Sequence, residues 1–170
     1  MALNTEKTYA MLFTNRMRDV LTPCKVLVEE RPVDFVDGVK FLGVHLDFNL
    51  NFSSHIKHIC SKLSKTVGIL YRIRRCVPQD VLINLYYSLV YPYVIYCIVV
   101  WGGSLDSHLA PLVIIQKKII RIITSQHYLA HTSPLFYETE ILKIRDLYSY
   151  FVGVHTVSYT HLTLPTILLV

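Results

Sequence analysis

The hydrophobic pattern of this chain changes period once, at Asn49–Leu50–Asn51, and that change constrains the fold class more than any other feature. Before it, short apolar runs bounded by turn residues read as strands. These are Thr8–Thr14 (TYAMLFT), Val26–Glu29 and Val33–Val36 flanking Glu30–Arg31–Pro32 as a hairpin, and Val39–Asp47 after the turn signal Asp37–Gly38. In the last, alternation puts Phe41, Gly43 and His45 on one side and Leu42, Val44 and Leu46 on the other. After it, Ile56, Ile59, Leu63, Val67, Leu70 and Ile73 recur at three- and four-residue steps. With Ser53 or Ser54 as cap, that spacing predicts a helix to Arg75.

Pro78–Gln79–Asp80 opens a second predicted helix to about Tyr91. Pro92 must kink or break it, because the proline ring removes a donor and clashes with the preceding turn. A third helix is predicted from Asp106 or Ser107 through Lys117, Lys118 and Arg121 to about Thr124, with Pro111 tolerated in its first turn. A polar linker, Ser125–Ser133, leads to short helices near Pro134–Tyr137 and Ile144–Val154. The predicted fold is α+β: a few short strands followed by a mainly α-helical bundle. Residues 156–170 (TVSYTHLTLPTILLV) are uncharged, Thr-rich and aperiodic, and are expected to be an unstructured tail extraneous to the domain.

Hydrophobic residues make up 52% of the 170 and charged residues 17%, which excludes a disordered chain. Residues 1–47 carry six Lys/Arg against seven Asp/Glu, whereas residues 48–155 carry eleven against five. A basic middle suits either a polyanion partner or an ordinary solvated surface. Cys24, Cys60, Cys76 and Cys97 show no CxxC spacing, so reduced thiols are expected, and with them an intracellular setting in cytoplasm or nucleus. The opening MALNTEKTYAMLF lacks the apolar stretch of a signal peptide.

The run from Val81 to Leu105 has no charge over about a membrane's thickness, which raises the alternative of a small membrane-associated protein anchored there. Against it stand Pro92 and five tyrosines, Tyr86, Tyr87, Tyr91, Tyr93 and Tyr96, spread along the run rather than gathered at its ends. A buried helical hairpin is the favoured reading, and membrane partners are not expected.

Several pieces in unbroken order resemble the reverse transcriptases of non-LTR (LINE-type) retrotransposons, in the region after the catalytic aspartates. They are LNTEKTYAMLFTNR (3–16), VKFLGVHLDFNLNFSSHI (39–56), SKLSKTVGILYRIRRCVPQDVLINLYYSLVYPYVIYCIVVWGG (61–103), QKKIIRII (116–123) and HTSPLFYETEILKIRDLY (131–148). The resemblance implies a palm remnant with a primer-grip-like strand over 1–47 and a helical thumb-like region over 48–155. It implies that Lys7, in the N-x-x-K-T element of Asn4, Lys7 and Thr8, sits near the incoming nucleotide's phosphates; a solvated strand-edge lysine is the other reading. Phe41, Leu42, Gly43 and Val44 resemble the primer-grip hairpin, or else form a plain core strand with a glycine bulge.

For the thumb, the resemblance implies contact with the template–primer backbone. Lys57, Lys62, Lys65, Arg72, Arg74 and Arg75 are the candidates, since phosphate contacts position a duplex without reading its sequence. The partners implied are an RNA–DNA or DNA duplex, held weakly, and the N-terminal polymerase half. The full-length family uses Mg2+ held by paired aspartates. No Asp–Asp pair occurs in this chain, so no metal and no cofactor are expected within it, and polymerase activity by this chain alone is not expected. His55, His58 and Cys60, and His127 with His131, lack a second ligand pair at zinc spacing. The tyrosine-rich segment could stack on bases, but its helical spacing suits core packing better.

Overall fold

The computed structural model describes residues 8–14, 25–28 and 31–167, with 161–167 described by backbone course only. The architecture is α+β, as short strands followed by helices, and the chain divides into two compact units, Met1–His55 and Ile56–Val170.

In the first unit, β1 (Leu27–Val28) pairs antiparallel with β2 (Arg31–Pro32), Leu27 opposite Pro32. The hairpin expected around residues 26–36 is therefore present but tighter, with Arg31 and Pro32 in its second strand rather than in its turn. The Thr8–Thr14 stretch makes an isolated parallel bridge, Ala10 to Phe35, with Ala10 N–H donating to Asp34 O and Val36 N–H to Ala10 O, both at 3.0 Å.

The stretch 39–47 is a hairpin rather than one strand. β3 (Gly38–Phe41) and β4 (Val44–Asp47) are antiparallel, with Phe41 opposite Val44 and Lys40 opposite His45. Leu42 and Gly43 form the two-residue turn, both at positive φ (44° and 84°). Such a turn matches the right-handed twist of the flanking strands, and only Gly enters this region without a Cβ penalty. The facing assignment for a single strand is overturned with it, because the chain reverses between Phe41 and Val44.

After β4 the side chains organise the turn. One Asp47 carboxylate oxygen accepts the N–H groups of Asn51 (2.8 Å) and Phe52 (3.3 Å), while Leu50 and Phe52 hold positive φ. Asn51 Oδ1 accepts the Ser53 N–H at 2.9 Å, so Asn51 meets an otherwise orphaned donor at the helix start. This helix, α1, is Ser53–Ile73.

In the second unit, α1 buries Ile56, Ile59, Leu63 and Leu70, four of the six residues its periodicity marked, while Val67 and Ile73 are half-buried. The uncharged run follows as three pieces: α2 (Gln79–Leu89), α3 (Tyr91–Ile95) and α4 (Ile98–Trp101). Pro92 lies in the first turn of α3, where its missing N–H does no harm, and Cys97 at φ 52° separates α3 from α4. Among the described residues no helix is long and apolar enough to cross a membrane, so the anchor over 81–105 is not favoured.

Trp101 is wholly buried, and its indole N–H donates to Tyr96 O at 2.8 Å. Gly102 and Gly103 lie against Tyr148; a Cβ on Gly102 would stand 2.6 Å from both Ile98 O and the Tyr148 ring. Helix α5 (Asp106–Ile123) turns Leu109, Leu112, Gln116, Ile119 and Ile120 inward. Gln116 is the polar member of that face, and its whole amide is used. Its Nε2 donates to Tyr86 Oη (3.1 Å) and Leu142 O (2.9 Å), and its Oε1 accepts the Ile144 N–H (3.2 Å). Burial pushes the Tyr86 phenol up to about 12, with the Gln116 hydrogen bond acting in the opposite sense.

Helix α6 (Thr132–Glu138) precedes α7 (Ile144–Ile167). The expected irregular tail from residue 156 is corrected here, since α7 runs unbroken through 156–167. The reason is cooperative: once 144–154 has formed turns on the buried anchors Ile144 and Leu147, each added residue needs only its own hydrogen bond.

Candidate nucleic-acid interface

Helix α1 separates its chemistry by face. With Ile56, Ile59, Leu63, Thr66 and Leu70 inward, Lys57, Lys62, Lys65 and Arg72 fall on the exposed side, and Arg75 continues it past the last turn. At 3.6 residues per turn Lys57, Lys62, Lys65 and Arg72 fall within an arc of about 140°, with Lys65 and Arg72 two turns apart on nearly one line. No acidic residue lies between Asp47 and Asp80, and among the described residues none of these cations is in an ion pair. Such a surface offers an anion several uncommitted ammonium and guanidinium groups on one side of the helix.

Arg74 departs from that face. It is half-buried, and its guanidinium lies over the Tyr71 ring, 4.1 Å from the centroid. This is a cation–π arrangement that leaves the planar fork displayed beside an aromatic surface. Of the hairpin residues, Phe41 and Leu42 are exposed (59% and 73%), whereas Val44 is buried, so the β3–β4 turn presents apolar side chains at its tip. Lys7 lies outside the described residues, as does Asn4.

Sequence reasoning missed a second basic region. Beyond the end of α5, the linker folds back on the helix: Ser125 takes a left-handed φ of 52°, its N–H donates to Ile122 O (3.3 Å), and Gln126 N–H donates to Arg121 O (3.0 Å). This is a Schellman ending closed by serine instead of glycine. The loop so placed lines a groove of about 490 Å³ with the end of α1, where Tyr71, Arg74, Lys118, Arg121, His127 and Tyr128 meet. Arg121 also lines a second cavity of about 350 Å³, with Lys117, Lys143 and Arg145. Its Nε donates to Ala130 O at 3.0 Å, which fixes the guanidinium between the two. Among the described residues no Asp or Glu lines either cavity. The pairing of Lys117, Lys118 and Arg121 with a His–Tyr dipeptide just past the helix end was the only sequence signal for this site.

Burial pushes the Cys60 thiol up, the opposite of an activated nucleophile. His55 is buried and accepts the His45 backbone N–H at 3.4 Å on Nδ1. Among the described residues no group of three His, Cys, Asp or Glu stands close enough to hold a metal ion. The cations of this surface have the chemistry to contact an anion.

Comparison with known proteins finds similar sequences among mobile-element polymerases. The chain is 29% identical over 147 residues to the "Probable RNA-directed DNA polymerase from transposon X-element" of Drosophila melanogaster. It is 27% identical to the RNA-directed DNA polymerases from mobile element jockey of Drosophila melanogaster and Drosophila funebris, over 148 and 149 residues. Its homologues are RNA-directed DNA polymerases of non-LTR transposons. Each match covers 85% of this chain but 16% of the relative, so the chain corresponds to a small part of these polymerases. No family model matches the chain. No solved structure matches it either.

Proposed function

We propose that this chain is the duplex-holding part of a mobile-element reverse transcriptase, gripping the template–primer backbone along α1 and relying on another segment for the metal-binding aspartates. The observation that carries the reading is the carboxylate-free exposed face of α1, with Lys57, Lys62, Lys65, Arg72 and Arg75 opposite a buried apolar face. A helix holding cations on one side suits a duplex backbone, and it gives affinity without base selection. The β3–β4 hairpin, with Phe41 and Leu42 at its exposed tip, fits contact with the primer's sugar edge, and Lys7 belongs by resemblance near the nucleotide phosphates. The names of the similar proteins support a nucleic-acid partner, and the absence of an Asp–Asp pair supports inactivity of the chain on its own.

The test is duplex binding as a function of salt. An RNA–DNA duplex should bind independently of sequence, with affinity falling steeply as salt rises. Changing Lys62, Lys65, Arg72 and Arg75 together to Gln should flatten the slope of log K against log salt by roughly 3 to 4, one phosphate contact each. An unchanged slope in that variant would remove α1 from the interface. Primer extension by the purified chain with Mg2+ would overturn the proposed dependence on another segment.

A further inference from the structure

The two cavities that meet at Arg121 lie away from the basic side of α1, and their shapes and chemistries differ in a useful way. The larger combines exposed aromatic faces, Tyr71 and Tyr128 (56% and 72% exposed), with Arg74 and Lys118 at the same groove. The His127 and Tyr128 rings sit 4.4 Å apart, and His127 Nδ1 accepts the Leu129 N–H at 3.3 Å, so the loop holds its aromatic pair in place. The smaller holds four cations, Lys117, Arg121, Lys143 and Arg145, the last also paired with the exposed carboxylate of Asp106. An apolar aromatic slot next to a cationic slot is the layout for a flat ring joined to a phosphodiester.

We propose that these cavities form one track for single-stranded nucleic acid: an unpaired base enters between Tyr71 and Tyr128, its phosphate meets Arg74, Lys118 and Arg121, and the next phosphate reaches Lys117 and Lys143. The ligand chemistry follows from the combination. A bare phosphate would leave the aromatic faces unused. A stacked duplex keeps its bases inside the helix and cannot offer one to a slot, whereas an unpaired strand offers a π-face and an anion at every step. Arg121 is the hinge of the track because it lines both cavities and its guanidinium is pinned by Ala130 O. This inference rests on the nucleic-acid reading above but assigns a different strand state to a different surface.

The experiment measures binding of the full chain to fluorescent single-stranded RNA and DNA of one sequence, and to the matching duplex. Tyr71→Ala with Tyr128→Ala should weaken single-strand binding by roughly fivefold to a hundredfold, the worth of lost base stacking, and leave duplex binding within about twofold. Lys118→Gln, a fully surface change, should weaken it less and reduce its salt dependence. The four-residue α1 variant should do the converse, losing duplex affinity while keeping the single strand. Whichever of RNA and DNA binds more tightly names the strand the track receives. Single-strand binding untouched by the tyrosine pair and by Lys118→Gln, or single-strand and duplex affinities that fall together in every variant, would overturn the track. Loss of the α1 effect alone would sink the duplex reading and leave the track standing.

Discussion

The two units of this chain solve the burial problem to different degrees. The helical unit encloses Trp101, Tyr86, Leu63, Leu70, Leu112 and Ile119 almost completely and satisfies its one buried amide on every side. The strand unit buries Val33, Val44, Phe52 and His55, yet leaves Tyr9, Leu12, Phe13, Leu27, Phe35 and Phe41 largely exposed. Two-stranded hairpins have too little area to stabilise themselves, whereas helices crossing around a common centre do. The helical unit also exposes large apolar side chains, Leu105, Tyr128 and Tyr137 among them, but it does so around an enclosed core that the strand unit lacks.

The widest gap should come from paired aromatic truncations. Trp101→Ala should destabilise the helical unit by about 3–5 kcal/mol, while Phe41→Ala should change it by less than about 0.5 kcal/mol. Thermal unfolding followed by helical circular dichroism checks both, and equal losses would erase the contrast. Next in size is Gln116→Leu, which strands the Leu142 carbonyl and the Ile144 N–H; about 2–3 kcal/mol should be lost in the same measurement.

The Tyr86 phenol gives a pH signature of similar magnitude. Its pKa in the folded chain is raised to about 12 from an ordinary 10.0, so the neutral form is favoured by folding. That contribution is intact below pH 10 and is lost as pH rises from 10 to 12, about 2–3 kcal/mol in all. Tyr86→Phe should lack that part of the alkaline decline, and parallel pH curves for the two proteins would refute the assignment. Smallest is the β3–β4 turn. Leu42→Asn, which tolerates positive φ, should slow amide exchange in β3 and β4 by several-fold, an effect worth about 0.5–1 kcal/mol, and leave α5 unchanged.

Most of the helical unit was legible because its pattern is strong. The repeating apolar residues of α1, the Pro78 start of α2, the break at Pro92 and the span of α5 all follow from spacing and proline geometry. The β3–β4 turn was not, because leucine at positive φ gives no turn signal and Val39–Asp47 alternates like one strand. The division at Cys97 was hidden for the same reason. The cationic face of α1 could be read from one helix, since its cations and its apolar residues share a single period. The track at Arg121 could not, because it needs the ends of α1 and α5 side by side and a loop turned by Ser125.

Gln116 has a consequence for the history of such a chain. Three groups on two stretches of chain, the Tyr86 hydroxyl, the Leu142 carbonyl and the Ile144 N–H, are served by one amide, in an orientation that cannot be inverted without setting donor against donor. Asparagine is too short to reach them, glutamate brings a charge and no donor, and the aliphatic residues serve none. Copies of a mobile element drifting without selection should scatter this codon as freely as any surface position. A genome in which it stays glutamine, while the exposed codons around it wander, would be one where the folded product still matters.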